Sequence, residues 1–201
     1  MTELEFLSRH VFFTTRTYAF FLNKSISVAT RKLKHRTRVG EMIQVTRGVW
    51  GNKYHHDFTP YGVIPYLLGN EEGYLSFLSA MHRHDMISQI PSSIQVATTG
   101  RARILKSPIG EFHFFQIKPE LMSERAGIQV FNGPVTYNIA SPEKALLDTF
   151  YLSTKKGRRF KKLPEIELHS SSFNKKKFLK WLNFYPIVAQ RQIWERYQQL
   201  P

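Results

Sequence analysis

Residues 25–53, with the sequence SISVATRKLKHRTRVGEMIQVTRGVWGNK, decide how the N-terminal part of this chain folds. Ser25 is a good helix N-cap, because its hydroxyl can accept a backbone N–H from the first turn. Gly40 is suited to end the same helix, since glycine readily takes the left-handed conformation after a last turn. Between them, small and apolar side chains share one face and most basic side chains point away from it. The shared face consists of Ile26, Ala29, Thr30, Leu33 and Thr37.

A short hairpin is predicted directly after this helix. Glu41–Thr46 and Gly48–Trp50 alternate as two paired strands do, and the tip between them is Thr46-Arg47-Gly48. A basic helix followed by a basic hairpin is typical of a winged helix-turn-helix, which places one helix in the major groove of DNA. We therefore predict a winged helix-turn-helix domain over residues 1–53.

The residues upstream fit this domain. Thr2 can cap a first helix that ends near His10, and Val11–Phe13 is a brief apolar strand. A second helix begins at Thr14 or Thr15 and runs to Leu22, followed by a turn that leads to Ser25.

The basic helix supplies the side chains that we expect to contact DNA. Its N-terminal half should face base edges, where arginine can bridge guanine and serine can donate or accept. The candidate base-contacting residues are Ser27, Val28, Arg31 and Lys32, with His35 one turn further on, and Ser25 is a further candidate DNA-binding residue. The candidate phosphate-contacting residues on the helix are Lys34, Arg36 and Arg38, while Arg47 at the hairpin tip, with Lys53 behind it, could reach an adjacent minor groove or the backbone. Arg36 departs from the apolar spacing, since a core residue is expected three positions after Leu33.

Net charge is concentrated at the two ends of the 201-residue chain, whose total is +14. Residues 1–53 hold ten Lys and Arg against three Glu, residues 54–154 hold seven against nine acidic residues, and residues 155–201 hold twelve against three. Such clustered positive charge is the electrostatic pattern of a protein that binds a polyanion. The plainer interpretation is a basic protein without such a partner.

A second basic surface is predicted near the C-terminus. The run Lys155–Lys162, KKGRRFKK, has six basic residues in eight, and Lys175–Lys177 follow nearby. The run is either a solvated loop or a second surface that contacts DNA phosphates, and we favour the second interpretation. Its candidate residues are Lys155, Lys156, Arg158, Arg159, Lys161 and Lys162.

The rest of the chain predicts a mixed sheet with helices. Residues 54–69 are punctuated by Pro and Gly and are interpreted as a linker, and residues 70–201 as a second domain. A helix is expected over Glu71–Arg83, and another begins at Ser141-Pro142, where serine is the cap and proline the first helical residue. Strands are expected at Ile94–Thr98, Ala102–Leu105, Gly110–Ile117, Ile128–Phe131 and Val135–Ile139, and two short closing helices at Phe173–Asn183 and Ile187–Gln199. The fold class is therefore α+β.

The residue types disfavour several chemistries. The chain has no Cys, so disulfides, thiolate metal sites and cysteine nucleophiles are excluded. Its three Asp residues form no pair of the kind that holds Mg²⁺, and Glu71 and Glu72 are expected to be solvated residues of a first helical turn. The histidines at 55–56 and 82–84 lack a third ligand at a convincing spacing, so we expect no metal and no cofactor. Asp148 is expected to hold its helix against the sheet.

No targeting or membrane segment is apparent. Glu3 and Glu5 occupy positions where a signal peptide carries basic residues, and no apolar run reaches about 18 residues. We expect a soluble, cytoplasmic protein without a membrane partner.

Three stretches resemble the AbiEi-type antitoxins, the regulator half of type IV toxin–antitoxin systems. They are RKLKHRTRVGEMIQVTRGVW at residues 31–50, the block Tyr74–Thr98, and NIASPEKALLDTFYL at residues 138–152. The resemblance spans roughly residues 10–155, and Ala140–Asp148 is its most specific part. It implies an autorepressor that also neutralises a nucleotidyltransferase-like toxin, and a second domain related to nucleotidyltransferases in shape but catalytically inert.

These observations lead to one expected function and two alternatives. We expect a transcriptional repressor that binds double-stranded DNA at inverted repeats in its own promoter and acts as an antitoxin. The first alternative is a basic RNA-binding or ribosome-associated protein, and the second is an enzyme of the nucleotidyltransferase type.

Overall fold

A computed structural model describes residues 2–122, 127–133, 135–155, 160, 162–169 and 172–200. The fold is α+β, with helices packed around two separate sheets. Its helices are α1 (Glu3–Arg9), α2 (Thr15–Leu22), α3 (Ile26–Arg38), α4 (Ile64–Leu68), α5 (Phe77–Arg83), α6 (Pro142–Thr154), α7 (Lys175–Leu182) and α8 (Ile187–Gln198). Its strands are β1 (Phe12–Thr14), β2 (Ile43–Thr46), β3 (Val49–Gly51), β4 (Gly73–Leu75), β5 (Ile94–Thr98), β6 (Arg103–Ser107), β7 (Gly110–Gln116), β8 (Ile128–Phe131) and β9 (Tyr137–Ala140).

The first 51 residues build a three-helix unit with a small antiparallel sheet. The strand order is β1-β3-β2, so the hairpin of β2 and β3 is joined on one side by β1. The elements follow one another as α1, β1, α2, α3, β2 and β3. Each of the three helices is preceded by a residue whose hydroxyl accepts a first-turn N–H, as predicted for Thr2 and Ser25, and of the two candidates for α2 the cap is Thr14 and not Thr15.

A mixed six-stranded sheet forms the centre of the second part, in the order β6-β7-β5-β4-β9-β8. The β4–β9 and β5–β7 pairs are parallel and the others are antiparallel. Helix α6 packs against α5, α7 and α8, and its residues Pro142–Ser153 are all buried. Ser141 caps this helix and Pro142 is its first residue, which confirms the predicted start.

The expected helix over Glu71–Arg83 is wrong in its first half. Gly73–Leu75 form strand β4, and the helix begins only at Phe77. Gly73 is required at the sheet, because a Cβ there would lie 2.6 Å from the carbonyl oxygen of Ala97 on β5. Tyr74 and Leu75 are both buried, and strands pair with β4 on both sides, so tertiary contacts override the helical spacing.

Residues 54–69, expected to be a linker, carry a 3₁₀ helix at Pro60–Val63 and then α4. Val63 and Ile64 of this segment are at most 1% exposed. The segment also touches β1, since the hydroxyl of Tyr66 donates to the carbonyl oxygen of Phe12 at 2.8 Å. The larger hydrophobic core therefore includes residues that precede this segment and residues that follow it. Phe12, Val45 and Val49 are its members from the N-terminal unit.

Candidate nucleic-acid interface

Helix α3 is fixed to the N-terminal unit through one narrow stripe. Ala29 and Leu33 are fully buried, and they pack in a cluster with Phe13, Tyr18 and Trp50. Thr30 and Thr37 lie partly buried beside them, as predicted, whereas Ile26 is half exposed. The opposite side of the helix is therefore left to solvent.

That opposite side carries a continuous polar and basic stripe. Its members are exposed and, by helical geometry, lie within an arc of roughly 100°. Apart from a contact between the hydroxyls of Ser25 and Ser27, none of them forms an ion pair or side-chain hydrogen bond with another described residue. We call this set the outer stripe: Ser27, Arg31, Lys34, His35 and Arg38.

Two other predicted DNA-contacting residues, Lys32 and Arg36, form ion pairs with carboxylates of the protein. The Arg36 guanidinium donates to Oε1 of Glu3 through Nη2 at 2.8 Å and through Nε at 3.1 Å. Its Nη1 also lies 2.5 Å from Oε2 of Glu41. Lys32 Nζ lies 3.3 Å from Oε2 of Glu3. Lys32 and Arg36 therefore face α1, on the side of α3 between the outer stripe and the buried stripe.

Glu3 is at the centre of this arrangement and also accepts a hydrogen bond from the hydroxyl of Tyr18. Partial burial by itself would raise the pKa of Glu3, but hydrogen bonds from Tyr18 and Arg36 and the charge of Arg36 outweigh it and lower the pKa below 4.5. The same contact, together with burial, raises the pKa of Tyr18 to about 12. Glu3 is thus an ionised carboxylate held by side chains from α2 and α3.

The stability that Glu3 contributes should depend on pH. Because its folded pKa is lower than the unfolded value of 4.5, this contribution is complete above that pH and is lost as the pH falls through the folded pKa. Urea denaturation of the parent protein and of Glu3→Gln should therefore differ most near neutral pH, and the difference should shrink as the pH falls below 4.5. An equal difference at both ends of the range would contradict the role of the carboxylate.

The hairpin tip is held in a defined place against α2. Arg47 is exposed at the tip, where Gly48 has a φ of +83°. The carbonyl oxygen of Gly48 accepts the backbone N–H of Thr15 at 2.9 Å, and Trp50 Nε1 donates to the Thr15 hydroxyl at 2.7 Å. The hairpin is therefore anchored to the first turn of α2. Lys53 is exposed, with its ammonium 4.9 Å from the centre of the Tyr54 ring.

Only part of the predicted C-terminal basic surface can be placed. Lys155 and Lys162 are exposed, while Lys156, Arg158, Arg159 and Lys161 lie outside the described residues. Partial burial and the charge of Lys118 lower the pKa of Lys155. Lys175–Lys177 are exposed in the first turn of α7.

A buried polar centre, of which the sequence indicated only Asp148, joins α6 to the sheet. Oδ1 of Asp148 accepts from Lys144 Nζ at 2.6 Å and from the Tyr185 hydroxyl at 2.7 Å. Its Oδ2 accepts from the hydroxyls of Tyr74 and Ser76 at 2.8 and 2.9 Å. The expectation that Asp148 holds its helix against the sheet is confirmed. The i, i+4 spacing of Lys144 and Asp148 was the available signal for the pair.

Burial dominates the proton affinities in this centre. It lowers the pKa of Lys144, although the adjacent Asp148 carboxylate opposes the shift. Burial and the same carboxylate raise the pKa values of Tyr74 and Tyr185 well above 10. Both tyrosines are therefore neutral hydroxyl donors to Asp148.

Glu71 and the histidines at 55–56 are also engaged with neighbouring groups. Glu71, expected on a solvated helical turn, instead precedes β4 and accepts from Arg103 Nη1 at 2.7 Å. Within the part of the chain that the structure describes, one group could gather around a metal, formed by His55, His56 and Asp57 with ligand atoms within 4.8 Å of one another. However, Nδ1 of His55 accepts the Asp57 backbone N–H and its Nε2 contacts the Ser8 carbonyl oxygen, so neither nitrogen has a free lone pair.

Comparison with known proteins adds no family. No protein family model matches the chain, and no curated protein is significantly similar to it. Among the described residues, no helix combines the length and the apolar character that crossing a membrane requires.

Proposed function

We propose that this protein is a transcriptional repressor that binds double-stranded DNA through a winged helix-turn-helix formed by its first 53 residues. The observation that carries the proposal is the outer stripe of α3, whose cations have no anionic partner among the described residues. Arg38 follows Arg31 by seven positions, which corresponds to about 10 Å along the helix axis. A stripe of this length suits the major groove, which is about 12 Å wide.

The order of the elements supports the same proposal. A helix whose buried face is narrow, followed by a hairpin with a basic tip, is the arrangement in which a recognition helix and a wing contact one duplex. The anchoring of Gly48 to Thr15 ties the hairpin tip to α2, which packs against α3, so Arg47 and α3 can meet the DNA together without reorganisation.

The roles divide along the outer stripe. Ser27 and Arg31, in the N-terminal half of α3, are proposed to contact base edges. Lys34, Arg38 and Arg47 are proposed to contact phosphates, and His35 lies between the two groups. Lys155, Lys162 and Lys175–Lys177 would add phosphate contacts from the second part of the chain.

The engagement of the carboxylates supports a binding function over nucleotidyl transfer. That reaction needs carboxylates that converge on Mg²⁺. Both oxygens of Asp148 already accept hydrogen bonds within a fully buried site, and Glu71 is paired with Arg103. A labelled-nucleotide transfer assay with Mg²⁺ tests the enzyme alternative directly, and incorporation of label would overturn the proposal of a non-catalytic protein.

The salt dependence of DNA binding tests the proposal. Between about 50 and 200 mM salt, the logarithm of the binding constant should fall with a log–log slope near −5 to −7 if about six to eight phosphates are neutralised. A duplex with an inverted repeat, selected from a random pool, should compete far better than structured RNA of equal length. Preference for the RNA would replace this proposal with the RNA-binding alternative.

An antitoxin role is proposed on the resemblance of residues 10–155 to AbiEi-type regulators. It predicts that an adjacent reading frame encodes a nucleotidyltransferase-like protein that arrests growth when expressed alone. Co-expression of this chain should relieve the arrest. Absence of such a neighbour, or arrest that persists on co-expression, would leave a repressor without an antitoxin function.

A further inference from the structure

We propose that Glu3 competes with DNA for Lys32 and Arg36 and thereby limits the affinity of the protein for any duplex. The inference rests on the proposed DNA-binding function and concerns the strength and the salt dependence of binding. Glu3 lies on α1, and the two cations lie one turn apart on the side of α3 that faces α1.

Glu3 binds Lys32 and Arg36 in the way that a DNA phosphate would bind them. One carboxylate oxygen accepts two guanidinium N–H groups of Arg36, and the other oxygen is paired with Lys32. Multiple charge-assisted contacts to one anion are the geometry by which arginine and lysine bind DNA phosphates. Glu41 pairs with the remaining side of Arg36, which leaves this guanidinium enclosed between two carboxylates.

The Glu3 carboxylate is partly shielded from solvent and firmly held, which stabilises its contacts with the two cations. The side chains of Glu3 and Arg36 are 25% and 22% exposed, so the pair is more shielded from solvent and salt than a surface pair. The hydroxyl of Tyr18, which lies on α2, donates a further hydrogen bond to the carboxylate and helps to fix its position. DNA would have to break all of these contacts to recruit Lys32 and Arg36.

As a consequence, two of the cations on α3, Lys32 and Arg36, are not available to contact DNA. Phosphate contacts strengthen binding to every sequence alike, whereas base contacts discriminate. By withdrawing two cations, Glu3 lowers the affinity for all duplexes by a similar factor and leaves discrimination between them to the outer stripe.

The test compares Glu3→Gln with Glu5→Gln, which removes the same charge from the same helix. Glu5 closes the α1 capping box by accepting the Thr2 backbone N–H, so its loss should leave the Glu3 contacts unchanged. Each purified variant is titrated with a selected operator duplex and a scrambled duplex over a range of salt concentrations. Glu3→Gln should bind the scrambled duplex roughly tenfold more tightly, with a log–log slope steeper by up to about 2 than that of Glu5→Gln. Operator binding should gain by a similar factor, because the released cations would contact phosphates.

A second variant protects the test against misfolding of Glu3→Gln. Lys32 is half exposed, and Lys32→Gln should leave the slope unchanged while Glu3 is present, because Glu3 already holds that cation. In the Glu3→Gln background the same change should reduce the slope by about 1. Equal slopes for Glu3→Gln and Glu5→Gln, or a reduced slope for Lys32→Gln alone, would overturn the inference. Failure of the parent protein to bind any duplex would instead overturn the proposed function.

Discussion

The Asp148→Ala variant should unfold with a free energy about 3–5 kcal/mol lower than that of the parent protein. Lys144 is fully buried, and its ammonium donates to Asp148 and to the Tyr185 hydroxyl. Removing Asp148 leaves that cation without a counterion and leaves three hydroxyl donors without their acceptor. Urea denaturation at neutral pH, followed by circular dichroism, measures the difference.

An exposed ion pair of the same geometry provides the control. Arg191 and Glu195 are also four residues apart on a helix, at 3.0 Å, but their side chains are largely exposed. Glu195→Ala should leave the free energy of unfolding almost unchanged. The double variant Lys144→Met with Asp148→Leu should recover part of the loss, because no unpaired charge remains. A small loss for Asp148→Ala, similar to that of Glu195→Ala, would contradict a buried charge at this position.

Arg31→Ala should relax the sequence preference at one base pair and cost about 1–3 kcal/mol in discrimination. The expectation follows from the place of Arg31 in the N-terminal half of the outer stripe, where its guanidinium can reach a guanine edge. Affinities for operators that carry each of the four base pairs at every position locate the effect.

Lys34→Ala is the matched control for a phosphate contact on the same stripe. It should weaken operator and scrambled duplexes alike and reduce the log–log salt slope by about 1. Both variants remove an exposed cation without an ion pair, so they differ only in the proposed contact. If the two behave in the same way, the division between base-reading and phosphate-binding residues is wrong.

Local signals in the sequence were sufficient for most helices and strands. The cap at Ser25, the buried spacing of Ala29 and Leu33, and the glycine after the last turn act within a few residues, and the helix forms as they predict. Strands β5 and β8 have the bounds that alternation predicts. Strand β4 was missed because its three residues are set by pairing with distant strands, and a three-residue stretch has no period of its own.

The candidate site was predictable in its residue types but not in its partners. Glu3 and Arg36 are 33 residues apart, and charge alone does not reveal which cations meet a carboxylate. The available indication of this pairing was that Arg36 occupies a position where the apolar spacing after Leu33 predicts a core residue. That position faces α1 in a half-buried setting, which an arginine can occupy because Glu3 and Glu41 neutralise it.

The packing of Phe12 affects how the protein can be dissected into fragments. Its ring contacts Phe58 and Tyr66, and its carbonyl oxygen accepts the Tyr66 hydroxyl. A fragment that ends at residue 53 would expose Phe12 together with Val45 and Val49, which the rest of the chain covers. Such a fragment would aggregate through its new apolar surface. Its failure to bind DNA would then result from the position of the truncation and would say nothing about the outer stripe.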